Sequence, residues 1–465
     1  MTVPTMISRR RLLQLGGVSA LTMATPGLVA ARLQGSEAGS HVVAEKSCIF
    51  VLLCGGPSHL DTWDMKPDAP EEIRGPYKPV ATAVPGMRIS ELHTRLSTLT
   101  DRFCLIRSMT HPGNISNHFD AMHHLLSGQA QAPLDSPYMG SVLSKLRPSQ
   151  RNIASYVWLI KCVGDPVFCA PNIATGGSLG SPYAPLFVGS AENNPAKPGF
   201  KPPDVFQATE SHERMQGRLQ LLEKIETGRS GEPSRTSWHE IHRRGFELAT
   251  SNGPRQAFDI DREDPRLRDR YGRNPLGQNL LLARRLVEAG VGFVTVNGWT
   301  GPSPNQTQNN GPPSSSWDMH GAEMGMGSAF GNGSYGMGWC LPALDNALSS
   351  LLIDLEDRGL LKSTLVVVMG EFGRTPRINK NNGIPGRQHW PHCYPAILAG
   401  AGVRGGMVYG ESDKNGAYVK DLPVRPQDLS ATIYKALGVP FEGQVTRDGR
   451  TQPLSTGEPL REVLG

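Results

Sequence analysis

Residues 47–54, Ser-Cys-Ile-Phe-Val-Leu-Leu-Cys, form an apolar run without alternation that stops at Gly55-Gly56-Pro57. Such a run marks a strand buried on both faces. A second run at 103–107 leads into a polar loop. Beyond it, Phe119, Met122, Leu125 and Leu126 stand at helical spacing. Residues 276–289 repeat the helical pattern, pause at Gly290, and pass into an apolar run at 291–296. Residues 344–355 read as an amphipathic helix closed by Gly359, followed by the run Thr-Leu-Val-Val-Val-Met at 364–369. Strand and helix alternate, so the expected fold class is α/β: a three-layer αβα arrangement with a mostly parallel sheet covered on both faces. Ligands in such sheets sit at the carboxyl ends of the strands.

Between these elements the chain is loop-rich, in keeping with 53 Gly and 38 Pro. Residues 151–212 are rich in Gly, Pro, Ser and Asn, with a short apolar segment at 157–160, and are expected to run over the surface as an insertion. Residues 213–250 read as a charged helical stretch. Residues 301–316 are polar and of low complexity, and the region 297–316 is expected to be a second insertion. One decorated domain over residues 47–465 is the simplest organisation, preceded by a linker at 32–46.

The N-terminal residues carry a different signal. Ser8-Arg9-Arg10-Arg11-Leu12-Leu13 precedes a Gly- and Ala-containing apolar stretch that ends in Val29-Ala30-Ala31. A twin-arginine pair, a short apolar segment and a small-residue cleavage pattern predict a signal peptide over residues 1–31. The expected route is the twin-arginine export machinery, which carries folded proteins, and the expected location is periplasmic or extracellular. The apolar run is short against the roughly 20 residues of a membrane helix, so no stable span is expected in the mature chain. Removing residues 1–31 takes away three arginines and lowers the net charge from +5 to +2. A near-neutral surface gives no nucleic-acid footprint. The seven cysteines, Cys48, Cys54, Cys104, Cys162, Cys169, Cys340 and Cys393, contain no CxxC pair. Cys162 and Cys169 are one local disulfide possibility, while Cys48 and Cys54 lie in an apolar strand as small core residues.

Polar residues of chemical interest gather after the strand ends. They are Ser58 to Asp64 after the first run, Thr110 to His118 after the second, Trp317-Asp318-Met319-His320 after the third, and Glu371, Arg374, His389 and His392 after the fourth. Carboxylates mixed with imidazoles suit a divalent cation; zinc, calcium and manganese are not distinguished, nor is one ion from two. Asp318 and His320 are two apart and face one way on an extended segment. His389 and His392 are three apart, compatible with a single helical turn. Taken alone, Asp61 or Asp64 reads as a helix cap before it reads as a ligand, and Glu371 with Arg374 as an ion pair.

These runs resemble a known family. Gly55-Gly56-Pro57-Ser58-His59-Leu60-Asp61-Thr62-Trp63-Asp64-Met65-Lys66-Pro67, Gly272-Arg273-Asn274-Pro275-Leu276-Gly277-Gln278, Trp317-Asp318-Met319-His320, Gly370-Glu371-Phe372-Gly373-Arg374-Thr375 and Gly386-Arg387-Gln388-His389-Trp390-Pro391 look like the bacterial family called domain of unknown function 1501. That family resembles the alkaline phosphatase and sulfatase superfamily, which implies a doubly wound core and a divalent-metal site for hydrolysing phosphate or sulfate esters. On this resemblance Asp61 stands for the carboxylate after the first strand, and Asp318 and His320 bind one metal. Glu371 replaces the aspartate of the superfamily's Asp-His pair, His389 is the late histidine, and His392 is a further metal candidate. The superfamily's nucleophile sits at the start of the helix after the second strand. Here that place offers His118 as acid or base and Ser116 as nucleophile, and Phe372 stands where a second metal would find its histidine. Arg374 or Arg387 would hold the anion. The implied substrate is a small-molecule or polysaccharide ester. The alternative is a secreted binding or assembly protein that keeps the fold without turnover.

Overall fold

The computed structural model describes residues 45–160, 170–203, 212–227, 252–305, 316–447 and 450–465. The twin-arginine segment, most of the linker, Cys162, Cys169 and the second half of the charged stretch at 213–250 lie outside the described residues.

Eight strands make the central sheet: β1 (Ser47–Leu52), β2 (Phe103–Met109), β3 (Tyr156–Leu159), β4 (Leu186–Val188), β5 (Phe293–Asn297), β6 (Thr364–Met369), β7 (Tyr394–Ala399) and β8 (Met407–Tyr409). Their order is β8-β2-β7-β6-β1-β5-β3-β4. β1 lies in the middle, parallel to β5 and β6, with Cys48 opposite Phe293 and Leu365. Only β7 runs against the others, between β6 and β2. The expected α/β class with a mostly parallel sheet is what the chain adopts.

Among the described residues, the faces are covered by α1 (His118–Ser127), α2 (Met139–Leu146), α3 (Pro275–Glu288), α4 (Met337–Asp357) and α5 (Pro426–Ala436). The strands divide their side chains between them. On β1, Ile49 and Val51 join Leu280, Leu286, Leu344 and Leu348 of α3 and α4. Cys48, Phe50 and Leu52 join Met122, Val142 and Ile433 of α1, α2 and α5. Successive residues of a strand point to opposite faces, so one unbroken apolar run supplies two cores. That is the three-layer arrangement.

Two differences from the sequence reading concern the sheet. Within the stretch read as a surface insertion, β3 and β4 are strands of the central sheet, and β3 is buried throughout. They are four and three residues long: the apolar segment at 157–160 marks β3 without showing that it joins the sheet, and β4 leaves no pattern among the surrounding Gly, Pro and Asn. β7 and α5 also went unread. In α4 the helix begins at Met337 and runs through Pro342. Cys48, Cys54, Cys104, Cys340 and Cys393 are buried free thiols. No helix among the described residues is long and apolar enough to cross a membrane.

The sheet edge that matters is the one where the parallel strands end. β1 leaves it through Gly55 and Gly56, whose φ values of +113° and +70° lie in the region that disfavours a side chain. A Cβ on Gly55 would stand 2.2 Å from the backbone nitrogen of Asp318, and one on Gly56 would stand 2.7 Å from the Phe372 ring. Two glycines thus let the segments after β5 and β6 close down on the end of β1. Because β7 is antiparallel, its start lies at this same edge and brings in the chain that precedes it.

Candidate functional site

Four side chains meet at that edge. His118, Asp318, His320 and His389 each offer one donor atom, and these atoms lie within 4.8 Å of one another. They come from three supports. His118 opens α1, whose preceding residue Asn117 caps the helix by accepting the Asp120 N–H at 2.9 Å. The segment with Asp318 and His320 is tied to the end of β1 by the Trp317 N–H on the Cys54 carbonyl at 3.2 Å. Met319 between them turns into the core, so its two neighbours face the site. His389 sits on a two-residue strand, His389–Trp390, paired with Gly373–Arg374. The Arg387 N–H donates to the Met319 carbonyl at 2.7 Å and draws the two histidine-bearing segments together.

An oxygen at each Nδ1 fixes the tautomers. His118 Nδ1 donates to Glu371 Oε1 at 2.6 Å, His320 Nδ1 to Gln388 Oε1 at 2.5 Å, and His389 Nδ1 to the Ser116 carbonyl at 2.7 Å. A neutral imidazole has one N–H, so each ring spends it on an oxygen and presents a lone pair at Nε2. The three Nε2 atoms then face one another: His389 Nε2 is 2.9 Å from that of His320 and 3.1 Å from that of His118. Asp318 adds its carboxylate, with Oδ2 3.3 Å from His118 Nε2 and Oδ1 3.5 Å from His320 Nε2. Lone pairs and an anion at such distances repel unless a cation sits among them.

The titration behaviour reports the same demand. Burial opposes a charge on His118, but its bonds to Asp318 and Glu371 overcome this and raise its pKa to about 9. Burial, then the charges of Arg374 and His118, depress His389 to about 2. Burial also lowers His320, despite the pull of Asp318. Asp318 is buried, yet Arg374 and His118 hold its carboxyl far below the usual carboxylate range.

Other residues singled out in the sequence have different surroundings. Glu371 stands behind His118: its Oε1 also accepts the Gly55 N–H at 2.8 Å, and its Oε2 is buried without a hydrogen-bond partner. Asp61 is fully buried against Arg387, with Oδ2 2.8 Å from Nε and Oδ1 3.3 Å from Nη2. The rest of the Arg387 guanidinium donates to the carbonyls of Ile73, Thr375 and Pro376. Arg374 is likewise enclosed, donating to Gly56 O at 2.9 Å, Arg387 O at 3.1 Å, Asp318 Oδ1 at 3.0 Å and the Gly55 carbonyl. Both arginines are engaged with protein oxygens, and neither is directed at a substrate anion. His392 is not on a helical turn with His389; its ring packs on Trp390 and Tyr418 at 4.8 and 5.1 Å. Ser116 is exposed. Phe372 is buried with its ring 4.9 Å from His118 and 4.4 Å from His389.

The sequence reading missed the orienting partners. Gln388 adjoins His389 in a run already singled out, but nothing in its identity tells that its amide reaches across to His320. His111 holds the Glu371 backbone through Nε2 on the carbonyl at 2.6 Å and contacts His124 at 2.9 Å through Nδ1.

The Asp61–Arg387 geometry makes a prediction. Asp61→Asn leaves a buried guanidinium without its counter-charge and is expected to cost about 3–5 kcal/mol of stability. Denaturant unfolding would show this, while calorimetric titration with a divalent ion would be unchanged; a lost ion with intact stability would make Asp61 a ligand instead.

The sequence matches the family model described as Protein of unknown function (DUF1501) over residues 45–464. No curated protein matches it. Among solved structures it is similar to a sulfatase from Pseudoalteromonas sp., at 12% identity and TM-score 0.37, covering 98% of this chain and 76% of that one. A phosphonate monoester hydrolase from Silicibacter pomeroyi aligns at 11% identity and TM-score 0.38 over 90% of this chain and 76% of that one. A protein in the alkaline phosphatase superfamily from Vibrio parahaemolyticus aligns at 11% identity and TM-score 0.31, over 93% and 76%. All three are remote likenesses. Matched over nearly the whole of its described length, the chain belongs to the DUF1501 family.

Proposed function

We propose that this chain is a divalent-metal-dependent hydrolase of phosphate or sulfate esters, exported in folded form through its Arg9-Arg10 signal. The observation that carries the metal assignment is the convergence of three imidazole Nε2 atoms and one carboxylate, each imidazole fixed at Nδ1 by an oxygen. Metal-binding histidines are oriented in this way, and the donor chemistry fits the group. His118, Asp318, His320 and His389 would hold one ion. A nitrogen-rich set favours zinc over calcium, which takes six to eight oxygens. A bound divalent ion supplies charge to an ester oxygen and acidifies water.

The chain's own residues set the conditions for that chemistry. Glu371 and Gln388 keep the rings of His118 and His320 turned inward. Arg374 holds Asp318 ionised and presses its segment against Gly55 and Gly56. His320, with its side chain 13% exposed, and the half-buried His389 lie on the solvent side, where an ester would approach. Ser116, exposed just before the start of α1, would be the nucleophile, and its carbonyl holds His389 Nδ1. A second reading is a binding or assembly protein without turnover. It is favoured by the presence of four protein donors, by Phe372 covering two of the rings, and by the engagement of both arginines.

Purified mature protein is expected to carry one equivalent of divalent metal and to hydrolyse an aryl phosphate or aryl sulfate, with activity lost on chelation and restored by zinc. Glu371→Gln should weaken the metal about 10–100-fold by calorimetry. Metal retained without turnover on either ester would establish the binding reading, and no metal at all would remove both.

Proton competition gives a second check. In chelated protein His118 holds a proton up to about pH 9, whereas His320 and His389 titrate lower. Ion binding must displace that one proton. Affinity is therefore expected to rise about tenfold per pH unit between pH 7 and 8.5 and then level off. The sign for folding is opposite: a raised histidine pKa stabilises the chelated protein most at low pH, and this contribution fades as pH climbs through about 9. A metal affinity flat across this range would show that His118 carries no displaceable proton.

A further inference from the structure

A second pair of imidazoles, His111 and His124, is buried behind the cluster, and the chemistry proposed above does not use it. Among the described residues only the first cluster gathers three or more metal-ligating side chains, so this pair is not a second ion site. Two apolar side chains would fill the space without the cost of desolvating two imidazoles. What imidazoles add to packing is direction.

His111 touches three of the segments that build the cluster. Its backbone N–H donates to the Pro391 carbonyl at 2.9 Å, just beyond His389. Its Nε2–H donates to the Glu371 carbonyl at 2.6 Å, with the Tyr394 hydroxyl 3.0 Å from the same nitrogen. Its Nδ1 meets His124 Nδ1 at 2.9 Å, and His124 lies on α1, the helix that His118 opens. The ring stacks on Tyr394 of β7, with centroids 5.1 Å and planes 14° apart.

These contacts dictate the tautomers. A carbonyl only accepts, so His111 carries its hydrogen on Nε2 and keeps a lone pair at Nδ1. His124 must then donate from its own Nδ1. Burial, then the neighbouring His124, hold the His111 pKa at about 3, and burial holds that of His124 at about 4. Both rings are therefore neutral in the physiological range, and the bond between them runs one way.

The bond to the Glu371 carbonyl matters because the Glu371 carboxylate is fixed on one side only. Its Oε1 takes the Gly55 N–H and His118 Nδ1, while its Oε2 is buried without a hydrogen-bond partner. The place of the carboxylate thus depends on how its backbone is held. We propose that His111 is a positioning residue: through the Glu371 carbonyl it sets the carboxylate against His118, and through Pro391 and His124 it locks the His389 strand and α1 to the same point. His124 serves by fixing the tautomer of His111. The effect on an ion rests on the reading of the cluster as a metal site; the effect on the His118 ring does not.

The test compares the purified mature wild-type chain with His111→Phe, His111→Gln and His124→Leu, each chelated and then loaded with cobalt. Phenylalanine keeps a ring on Tyr394 and removes both nitrogens, whereas glutamine restores an N–H for the Glu371 carbonyl. In the chelated wild type, labelled at histidine nitrogen, the His118 Nδ1–H is expected to give a resolved downfield proton resonance. It should shift or vanish in His111→Phe and persist in His111→Gln. His111→Phe should bind cobalt about tenfold more weakly or worse, with altered visible absorption, and His111→Gln should stay within about threefold of wild type. His124→Leu should act in the same direction as His111→Phe, and it carries the test if that variant does not fold. An unchanged His118 resonance and cobalt spectrum in the folded variants, or no rescue by glutamine, would overturn the proposal. A resonance that depends on His111 in a chain that takes up no cobalt would sustain the positioning role and remove the metal reading instead.

Discussion

Three imidazole lone pairs and a carboxylate pressed within hydrogen-bond distance of one another are stable only around a positive charge. The fold spends much of its buried polar machinery on holding them there. Glu371, Gln388 and the Ser116 carbonyl each take one Nδ1–H and so commit the rings. Without a metal, a proton on His118 supplies the positive charge: its bonds to Asp318 and Glu371 outweigh burial and raise its pKa to about 9, while burial and the Arg374 charge lower that of His389 to about 2. A divalent ion would meet the same demand with more charge and with all four donors at once.

The scaffold explains how residues so far apart in sequence arrive together. β1, β5 and β6 are adjacent and parallel, so their following loops emerge at one edge, and the reversed β7 delivers His389 to it from the other direction. Gly55 and Gly56 remove the side chains that would keep those loops apart. Arg374 then ties the end of β1 to Asp318, and Arg387 ties Asp61 to the segment that carries Gln388 and His389. Buried arginines are costly unless every donor finds an oxygen, and here the carbonyls of four separate segments provide them. Their role is to fix the relative placement of loops.

Much of this was legible in the residues. β1, β2, β5 and β6 are buried on both faces and read as unbroken apolar runs, whereas β3 and β4 are too short for any periodicity to declare itself. The same holds at the site. Asp318, His320 and His389 stand out in the sequence as candidate donors, and His118, which reads there as an acid or base, stands beside them in the cluster. Side-chain identity shows that a group can donate to a metal; it does not show which neighbour claims it first. Asp61 pairs with an arginine 326 positions away, and Glu371 with a histidine 253 positions away. Such partnerships depend on the closed sheet edge and leave no local trace in the chain.

X-ray absorption spectroscopy at the edge of the bound metal tests the central claim most directly, because it counts imidazole rings around the ion without reference to activity. The account predicts scattering from three imidazoles plus a lighter oxygen contribution, dropping to two imidazoles in His389→Ala. An oxygen-only shell, or a spectrum unchanged by removing His389, would contradict it.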